Sequence, residues 1–542
     1  MPDRIGCNYM KMINLTINKQ QVSVADGCTI LHAADTLGIG IPTLCYLKEF
    51  KPNTNCMICV VHELKTDRLL LSCSMPVGEG MIIETDNERV REARKDTLDL
   101  LLSEHVGDCE APCRRTCPAK MNIPLMIRQI KEKKFAEALI TVKNDIALPA
   151  VLGRICPAPC ENGCNRKLYD NPVSICSLKR FAADTDLAQK SPYRPDMLPN
   201  SGKKAAVIGA GPTGLSAAYY IARLGHDCRI FDSNSKPGGM LRYGVPDEKL
   251  PKSVLDAEIE QILVLGVELR PEQTLGADFT LNELRDEYDA VVLAFGKADQ
   301  DLMNKSEIEF TPRGIAVNRK TYETSIPGIF AGGNAVAEGK MAIRSAAHGK
   351  IIAYSVHQFV NGLTVTGQPQ RFNSLMGKLL EDETDEFIKE AEVFDQVQPD
   401  GGFETGYSVQ EAVTESERCF HCDCRKPESC KLRRYSEEYG ADQRRFRIGR
   451  RKRFQKIVQH DFVLFEPGKC IKCNACIEIT KKAGEQFGFT FINRGFDVQL
   501  TVPFDEALSD GLRKVAKECV EACPTAALAW KNGEPGVDFD KK

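Results

Sequence analysis

Residues 204–217, KAAVIGAGPTGLSA, run from an apolar strand through a glycine turn into an alanine-rich helix, and they decide the architecture at the centre of this 542-residue chain. A strand that turns sharply into a nucleotide-binding helix needs a glycine at the bend, one where a phosphate approaches, and one where helix and strand pack closely. Gly209, Gly211 and Gly214 stand in those places. Asp232 closes the next strand, CRIFD, about 20 residues on, where a carboxylate meets an adenosine ribose while the helix amino terminus faces the pyrophosphate. The stretch predicts one Rossmann-like βαβ unit for a dinucleotide.

The chain around it is long enough for several cores. Its 75 acidic and 72 basic residues nearly cancel, which removes any whole-chain argument for nucleic acid or an anionic membrane. No apolar run approaches the roughly 20 residues of a membrane span, and MPDRIGCNYMKMINLT has no apolar signal core, so a soluble, cytoplasmic protein without a membrane span is expected. The 23 cysteines carry most of the information. At short fixed spacings in a cytosolic chain they read as metal ligands rather than disulfides.

Cys45, Cys56, Cys59 and Cys73 have ten, two and thirteen residues between them, after the short strands MINLTI and QVSV and the helical TILHAADTLG. A long loop with an internal pair plus one distant cysteine suits a 2Fe-2S cluster on a β-grasp domain, with zinc as the alternative. Cys28 falls outside that spacing and reads as a buried apolar residue. Further on, RCFHCDCRKPESC holds Cys419, Cys422, Cys424 and Cys430 for one 4Fe-4S cluster, again with zinc as runner-up, and His421 is read as outside the ligand set. The last module, GKCIKCNACIEIT to KECVEACPTAAL, follows the two-cluster bacterial ferredoxin pattern in degraded form. Thr480 occupies the fourth place of its first group, so one 4Fe-4S cluster is expected on Cys470, Cys473, Cys476 and Cys523, with Cys519 left over.

The cysteine groups and the glycine fingerprint together resemble known families. The opening domain, and GFTFINRGFDVQLTVPF near the end, resemble the large iron-sulfur subunit of respiratory complex I and of NAD-linked hydrogenases and formate dehydrogenases. Residues 104–119, EHVGDCEAPCRRTCPA, and 154–164, RICPAPCENGC, resemble the amino-terminal domain of the glutamate synthase small subunit, also found in dihydropyrimidine dehydrogenase. That resemblance implies two 4Fe-4S clusters, one on Cys109, Cys113 and Cys164 and one on Cys117, Cys156 and Cys160. His105 stands where a first cysteine is usual and Cys176 near a non-cysteine ligand position, and they are expected as the two fourth ligands.

The glutamate synthase resemblance continues through PGGMLRYGVPDEKLPK and IPGIFAGGNAVAEGKMAIRSAAHGK and implies that the dinucleotide is FAD. Gly239, Leu241, Gly333, Asn334 and Met341 are then expected to line it beside Gly209, Gly211, Gly214 and Asp232. Relatives insert a second nucleotide-binding domain before IPGIFAGG; here only residues 297–325 lie between Gly296 and Ile326, too few for a βαβ unit.

The expected organisation is α/β multidomain: a β-grasp 2Fe-2S domain (1–90), a helical two-cluster domain (91–200), a single FAD domain without an NAD(P) domain (201–368), a connector with one 4Fe-4S cluster (369–440) and a ferredoxin-like module (441–542). One FAD, one 2Fe-2S cluster and four 4Fe-4S clusters imply an electron-transfer subunit of an anaerobic, multi-subunit oxidoreductase. Its expected partners are an NADH-oxidising flavin subunit and a catalytic dehydrogenase, hydrogenase or aldehyde oxidoreductase subunit. A self-sufficient NAD(P)H-dependent reductase is the alternative. The basic run RRFRIGRRKRFQK (444–456) reads as a solvated face, or otherwise as a docking patch for an acidic partner or compensation for negatively charged clusters.

Overall fold

A computed structural model describes residues 8–297 and 307–533, so part of the short segment replacing a second nucleotide domain lies outside the described residues. The chain divides into two compact units, each assembled from separated stretches: residues 1–110, 371–390 and 422–542 form one, and residues 111–370 and 391–421 the other. The division falls inside the expected helical domain and inside the expected connector.

Unit one opens with a five-stranded sheet in the order β2-β1-β5-β3-β4, from β1 (Asn8–Ile17), β2 (Gln20–Asp26), β3 (Val60–Glu63), β4 (Arg68–Leu71) and β5 (Ile82–Glu84). Alternation sets its faces: Ile13, Leu15 and Ile17 are buried while Asn14 and Lys11 face out. Asn18 and Lys19, both left-handed, close the β1–β2 hairpin, and β5 returns parallel to β1. The helix Ile30–Thr36, capped by Thr29, lays Ile30, Ala33 and Ala34 on the sheet. Antiparallel strands Val463–Phe465 and Leu528–Trp530, a hairpin of Thr490–Ile492 with Gln499–Thr501, and helices Ala475–Lys482 and Ala516–Ala522 form the later part of this unit.

The basic run belongs to the same unit and is largely paired within it. Arg451 and Arg453 reach Glu383 and Asp382, Lys456 reaches Glu390 at 2.6 Å, Lys452 reaches Glu104 at 3.0 Å, and Arg445 reaches Asp96 and Asp99. The acidic stretch 381–390 is therefore the main counter-charge of 444–456, and the run is not simply a solvated face.

Unit two centres on one parallel sheet in the order β12-β9-β6-β7-β8, built from β6 (Lys204–Ile208), β7 (Asp227–Asp232), β8 (Glu268–Pro271), β9 (Ala290–Leu293) and β12 (Ile329–Ala331). Helices Pro212–Arg223 and Ala342–Val360 pack together over it. Between β9 and β12 the described residues hold a minimal hairpin, β10 (Phe310–Thr311) and β11 (Gly314–Ile315). Short helices, including Ile123–Lys131, Pro149–Ile155 and Ile175–Leu187, pack around a second core with Cys113, Cys117, Cys156, Cys160 and Cys164. Among the described residues no helix is long and apolar enough to cross a membrane.

Candidate cofactor sites

In unit one the loop before β3 and the end of β4 bring Cys45, Cys56, Cys59 and Cys73 together, all at most 6% exposed. Cys45 and Cys56 share a hydrogen bond, as do Cys59 and Cys73, and the shared protons push Cys56 down to about 6 and Cys59 to about 7. Their partners Cys45 and Cys73 move up correspondingly. Four buried thiols gathered on one loop and the adjoining strand suit an iron-sulfur cluster, which binds the thiolate. Cys28 is buried, engaged in a disulfide, and outside the quartet.

A second quartet in this unit lines a pocket: Cys470, Cys473, Cys476 and Cys523, walled by Phe465, Leu500 and Leu528. Left-handed Lys472 and Asn474 fold the loop so that the Lys472 N–H donates to Cys470 Sγ at 3.4 Å. Cys523 ends the helix Ala516–Ala522, just before Pro524, and faces the pocket. Cys519 does not line it; its thiol lies 3.9 Å from the Cys476 carbonyl. Buried Thr480 donates its hydroxyl to the Cys476 carbonyl at 2.9 Å, so the position without a fourth cysteine serves the helix instead. The two quartets are stitched together: Asn53 donates to the Cys473 carbonyl at 3.3 Å and Asn55 to the Lys472 carbonyl at 2.5 Å.

In unit two Cys117, Cys156, Cys160 and Cys176 surround Lys179, a buried lysine that sequence reading overlooked. Its Nζ lies 3.7 Å from Cys176 Sγ. Burial works against its charge, but Cys176, Cys156, Cys160 and Cys117 outweigh burial and hold it firmly protonated. Cys156 and Cys176 share a hydrogen bond that pushes Cys156 down to about 6. The only signal for Lys179 in the sequence is its helical spacing of three from Cys176.

Eight further candidate ligands divide between the units. In unit two Cys113 lies on the short helix Pro112–Thr116 and Cys164 two residues beyond the short helix Pro159–Asn162, where a Cβ on Gly163 would come 2.3 Å from Thr116 Oγ1. Cys419 packs into the same core as Cys117 and Cys160. In unit one His105 and Cys424 lie near buried Lys469, and Cys109 and Cys430 lie near Cys424, with Cys422 in the same unit. Burial and the Lys469 charge push the half-buried His105 imidazole down to about 3, so it is neutral. Among the described residues no three His, Cys, Asp or Glu side chains close tightly enough around one point to hold a single metal ion.

The glycine fingerprint forms the cradle the sequence predicts. Gly209 has φ +105°, and a Cβ there would lie 2.5 Å from the Ala294 carbonyl oxygen; a Cβ on Gly214 would lie 1.8 Å from that of Gly209. Nothing lies within 4 Å of a Cβ built on Gly211, the open side where a phosphate would approach. Asp232, buried at the end of β7, accepts from Ala210 N at 2.5 Å and from Asn234 N at 2.8 Å, which fixes the carboxylate beside the turn. Gly239 and Gly333 close on this helix end, against Gly211 and Thr213 respectively, and Leu241 is buried in the core below. Asn334 and Met341 line an adjoining cavity with Tyr322 and His348. Arg313, Arg319 and Arg344 also line it, and none of them ion-pairs with a carboxylate among the described residues. The residues present fit a dinucleotide at the helix end and iron-sulfur clusters at the thiol nests.

Comparison with known proteins finds family likenesses for three segments of the chain. Residues 10–88 match the 2Fe-2S iron-sulfur cluster binding domain, residues 102–191 match dihydropyrimidine dehydrogenase domain II, 4Fe-4S cluster, and residues 173–350 match pyridine nucleotide-disulphide oxidoreductase. The chain is 38% identical over 240 residues to the NADP(+)-dependent formate dehydrogenase subunit beta of Moorella thermoacetica, covering 40% of this chain and 32% of that protein. It is 32% identical over 308 residues to the NADPH-Fe(3+) oxidoreductase subunit beta of Geobacter sulfurreducens, covering 53% and 46%. It is 38% identical over 192 residues to the NAD-dependent dihydropyrimidine dehydrogenase subunit PreT of Salmonella typhimurium, covering 34% and 46%. The chain thus spans between a third and a half of the length of these relatives.

Proposed function

We propose that this chain is the electron-transfer subunit of a multi-subunit oxidoreductase, relaying electrons between a partner's NAD(P)H- or ferredoxin-linked site and a catalytic subunit. The observation that carries the reading is the pair of thiol quartets in unit one, joined through Asn53 and Asn55 so that one redox group would lie beside the next. The 2Fe-2S cluster is assigned to Cys45, Cys56, Cys59 and Cys73, and 4Fe-4S clusters to Cys470, Cys473, Cys476 and Cys523 and to Cys117, Cys156, Cys160 and Cys176. His105, Cys109, Cys113, Cys164, Cys419, Cys422, Cys424 and Cys430 supply two more. FAD is assigned to the cradle of Gly209, Gly211, Gly214, Asp232, Gly239, Leu241, Gly333, Asn334 and Met341.

When bound, FAD supplies two-electron chemistry and each cluster one-electron chemistry. The protein's part is to hold these groups close, to keep water from the thiolates by burial, and to offset their negative charge with buried cations such as Lys179. The assembly is read as cytoplasmic and anaerobic, with an NADH-oxidising flavin subunit on one side and a dehydrogenase, hydrogenase or aldehyde oxidoreductase subunit on the other.

The test is reduction of the isolated chain. Hydride transfer needs the nicotinamide about 3–3.5 Å from the flavin ring, and the only glycine fingerprint in the sequence belongs to the FAD cradle. Neither NADH nor NADPH is expected to bleach the flavin at catalytic rates, whereas dithionite bleaches flavin and clusters. Adding the NADH-oxidising partner restores reduction, and Cys56→Ser abolishes that route while FAD stays bound. Rapid, saturable bleaching of the isolated chain by either nucleotide identifies a self-sufficient reductase instead.

A further inference from the structure

Resting on the reading that this chain binds iron-sulfur clusters, we infer that Cys109 shares a cluster with Cys424 and Cys430, so the 419–430 run does not hold a cluster of its own. Both the run of four cysteines and the family pattern, which pairs Cys109 with Cys113 and Cys164, point elsewhere. The geometry within unit one does not follow them. The Cys424 N–H donates to the Cys109 carbonyl at 3.2 Å, which ties the two segments backbone to backbone beside their thiols. Cys109, Cys424 and Cys430 are 9%, 7% and 7% exposed, a protected nest rather than three surface thiols.

Donors of the kind that stabilise cluster sulfurs are already in place. The Ser374 N–H donates to Cys109 Sγ at 3.4 Å, with the Ser374 hydroxyl at 3.2 Å, and the Arg433 N–H donates to Cys430 Sγ at 3.4 Å. Lys469, buried and paired with Glu466, supplies positive charge beside Cys424, and a Cβ on Gly107 would lie 2.4 Å from its side chain. His105, four residues before Cys109 in the same unit, is the candidate for the fourth donor. Binding replaces three thiol protons with three iron–sulfur bonds, the protons leaving to solvent, and involves no net oxidation of the protein.

Cys419 is held by contacts inside unit two. Arg166, fully buried, donates to the Arg418 carbonyl at 2.5 Å and lies 5.3 Å from the Phe420 ring centre, which places residues 418–420 beside the turn that starts at Cys164. Cys419 accordingly shares the unit-two core against which Cys113 and Cys164 pack.

The experiment is iron analysis with Mössbauer and EPR spectroscopy on the full chain purified anaerobically, with FAD content as the check that it has folded. Cys109→Ser, Cys424→Ser and Cys430→Ser are each expected to lose about four irons and the same spectral component. The double variant Cys109→Ser/Cys424→Ser is expected to lose no more than either single one, while Cys113→Ser/Cys424→Ser loses about twice as much. Additive loss in the first double variant with non-additive loss in Cys109→Ser/Cys113→Ser overturns the grouping. If the cysteine variants fail to fold, Ser374→Ala, beside Cys109, and Lys469→Met, beside Cys424, still decide: both are expected to shift the same EPR component, and shifts confined to two different components overturn the grouping. A wild-type chain that holds no iron after reconstitution would instead sink cluster binding itself, a separate failure.

Discussion

Two of the thiol quartets are built in opposite ways. Cys45, Cys56, Cys59 and Cys73 come from one loop and the strand beside it, and no buried lysine stands among them. Cys117, Cys156, Cys160 and Cys176 come from separate helical segments of unit two and enclose Lys179 at 3.7 Å from Cys176. A loop nest depends on local backbone conformation; an assembled nest depends on every helix that delivers a ligand, and it concentrates negative charge that a cation must offset. The difference separates what spacing alone can specify from what packing must supply.

The sharpest break of this comparison is loss of a ligand. Cys56→Ser is expected to remove about two irons and leave every other cluster intact, because only the loop changes. Cys156→Ser is expected to remove about four and to weaken the packing around Ile175–Leu187 as well, seen as faster hydrogen exchange in that helix. In the third quartet Cys523→Ser removes about four irons and Cys519→Ser none, because only Cys523 lines the pocket. Iron analysis and Mössbauer spectra of the three variants check all of this; equal losses from Cys519→Ser and Cys523→Ser would show that the wrong thiol has been assigned.

A smaller effect sharpens the electrostatic half. A charge about 6 Å from the centre of an added electron contributes about 2.8 kcal/mol at an effective dielectric of about 20. For one electron that is about 120 mV, since about 59 mV corresponds to a tenfold change in the equilibrium. Lys179→Met is therefore expected to lower the midpoint potential of the unit-two cluster by about 60–120 mV, with the 2Fe-2S potential unchanged. An EPR-monitored titration in which neither moves would show that Lys179 is only a space-filler.

What could be read in advance follows the same division. The β-grasp strands were legible from the alternation of Ile13, Leu15 and Ile17, and the nucleotide cradle from three glycines and a carboxylate at fixed offsets. Cys523 could be told from Cys519 because a proline follows it. Lys179 was not legible: a lysine three residues after a cysteine is usually on a wet face, and only tertiary burial makes this one a counter-ion. The pairing of 444–456 with 381–390 was hidden because ion-pair partners distant in sequence leave no local pattern, and the Cys109–Cys424 contact was hidden for the same reason.

The smallest expected effect tests how the assembled nest is held. Glu258 is 1% exposed, and its two oxygens accept from Ala150 N at 2.9 Å and Val151 N at 2.8 Å, the first amides of the helix that ends at Cys156. Burial pushes its carboxyl up to about 7, against the pull of Lys143 and those two amides. A carboxyl raised in the folded state contributes stability that is complete below its ordinary value near 4.5 and is lost as pH rises through about 7. The full shift corresponds to about 3 kcal/mol, so between pH 5 and pH 8 the wild type should lose about 2–3 kcal/mol relative to Glu258→Gln, whose amide does not titrate. Thermal unfolding of both proteins at the two pH values, followed through release of the unit-two cluster signal, checks this. A wild type that loses ground to the variant as pH rises would fit the expected sign; one that gains on the variant as pH rises would mean that Lys143 and the helix amides favour the carboxylate. In that case Glu258 would be a charged clamp on the Cys156 helix, and the assembled nest would be held by an ion pair rather than by a buried neutral acid.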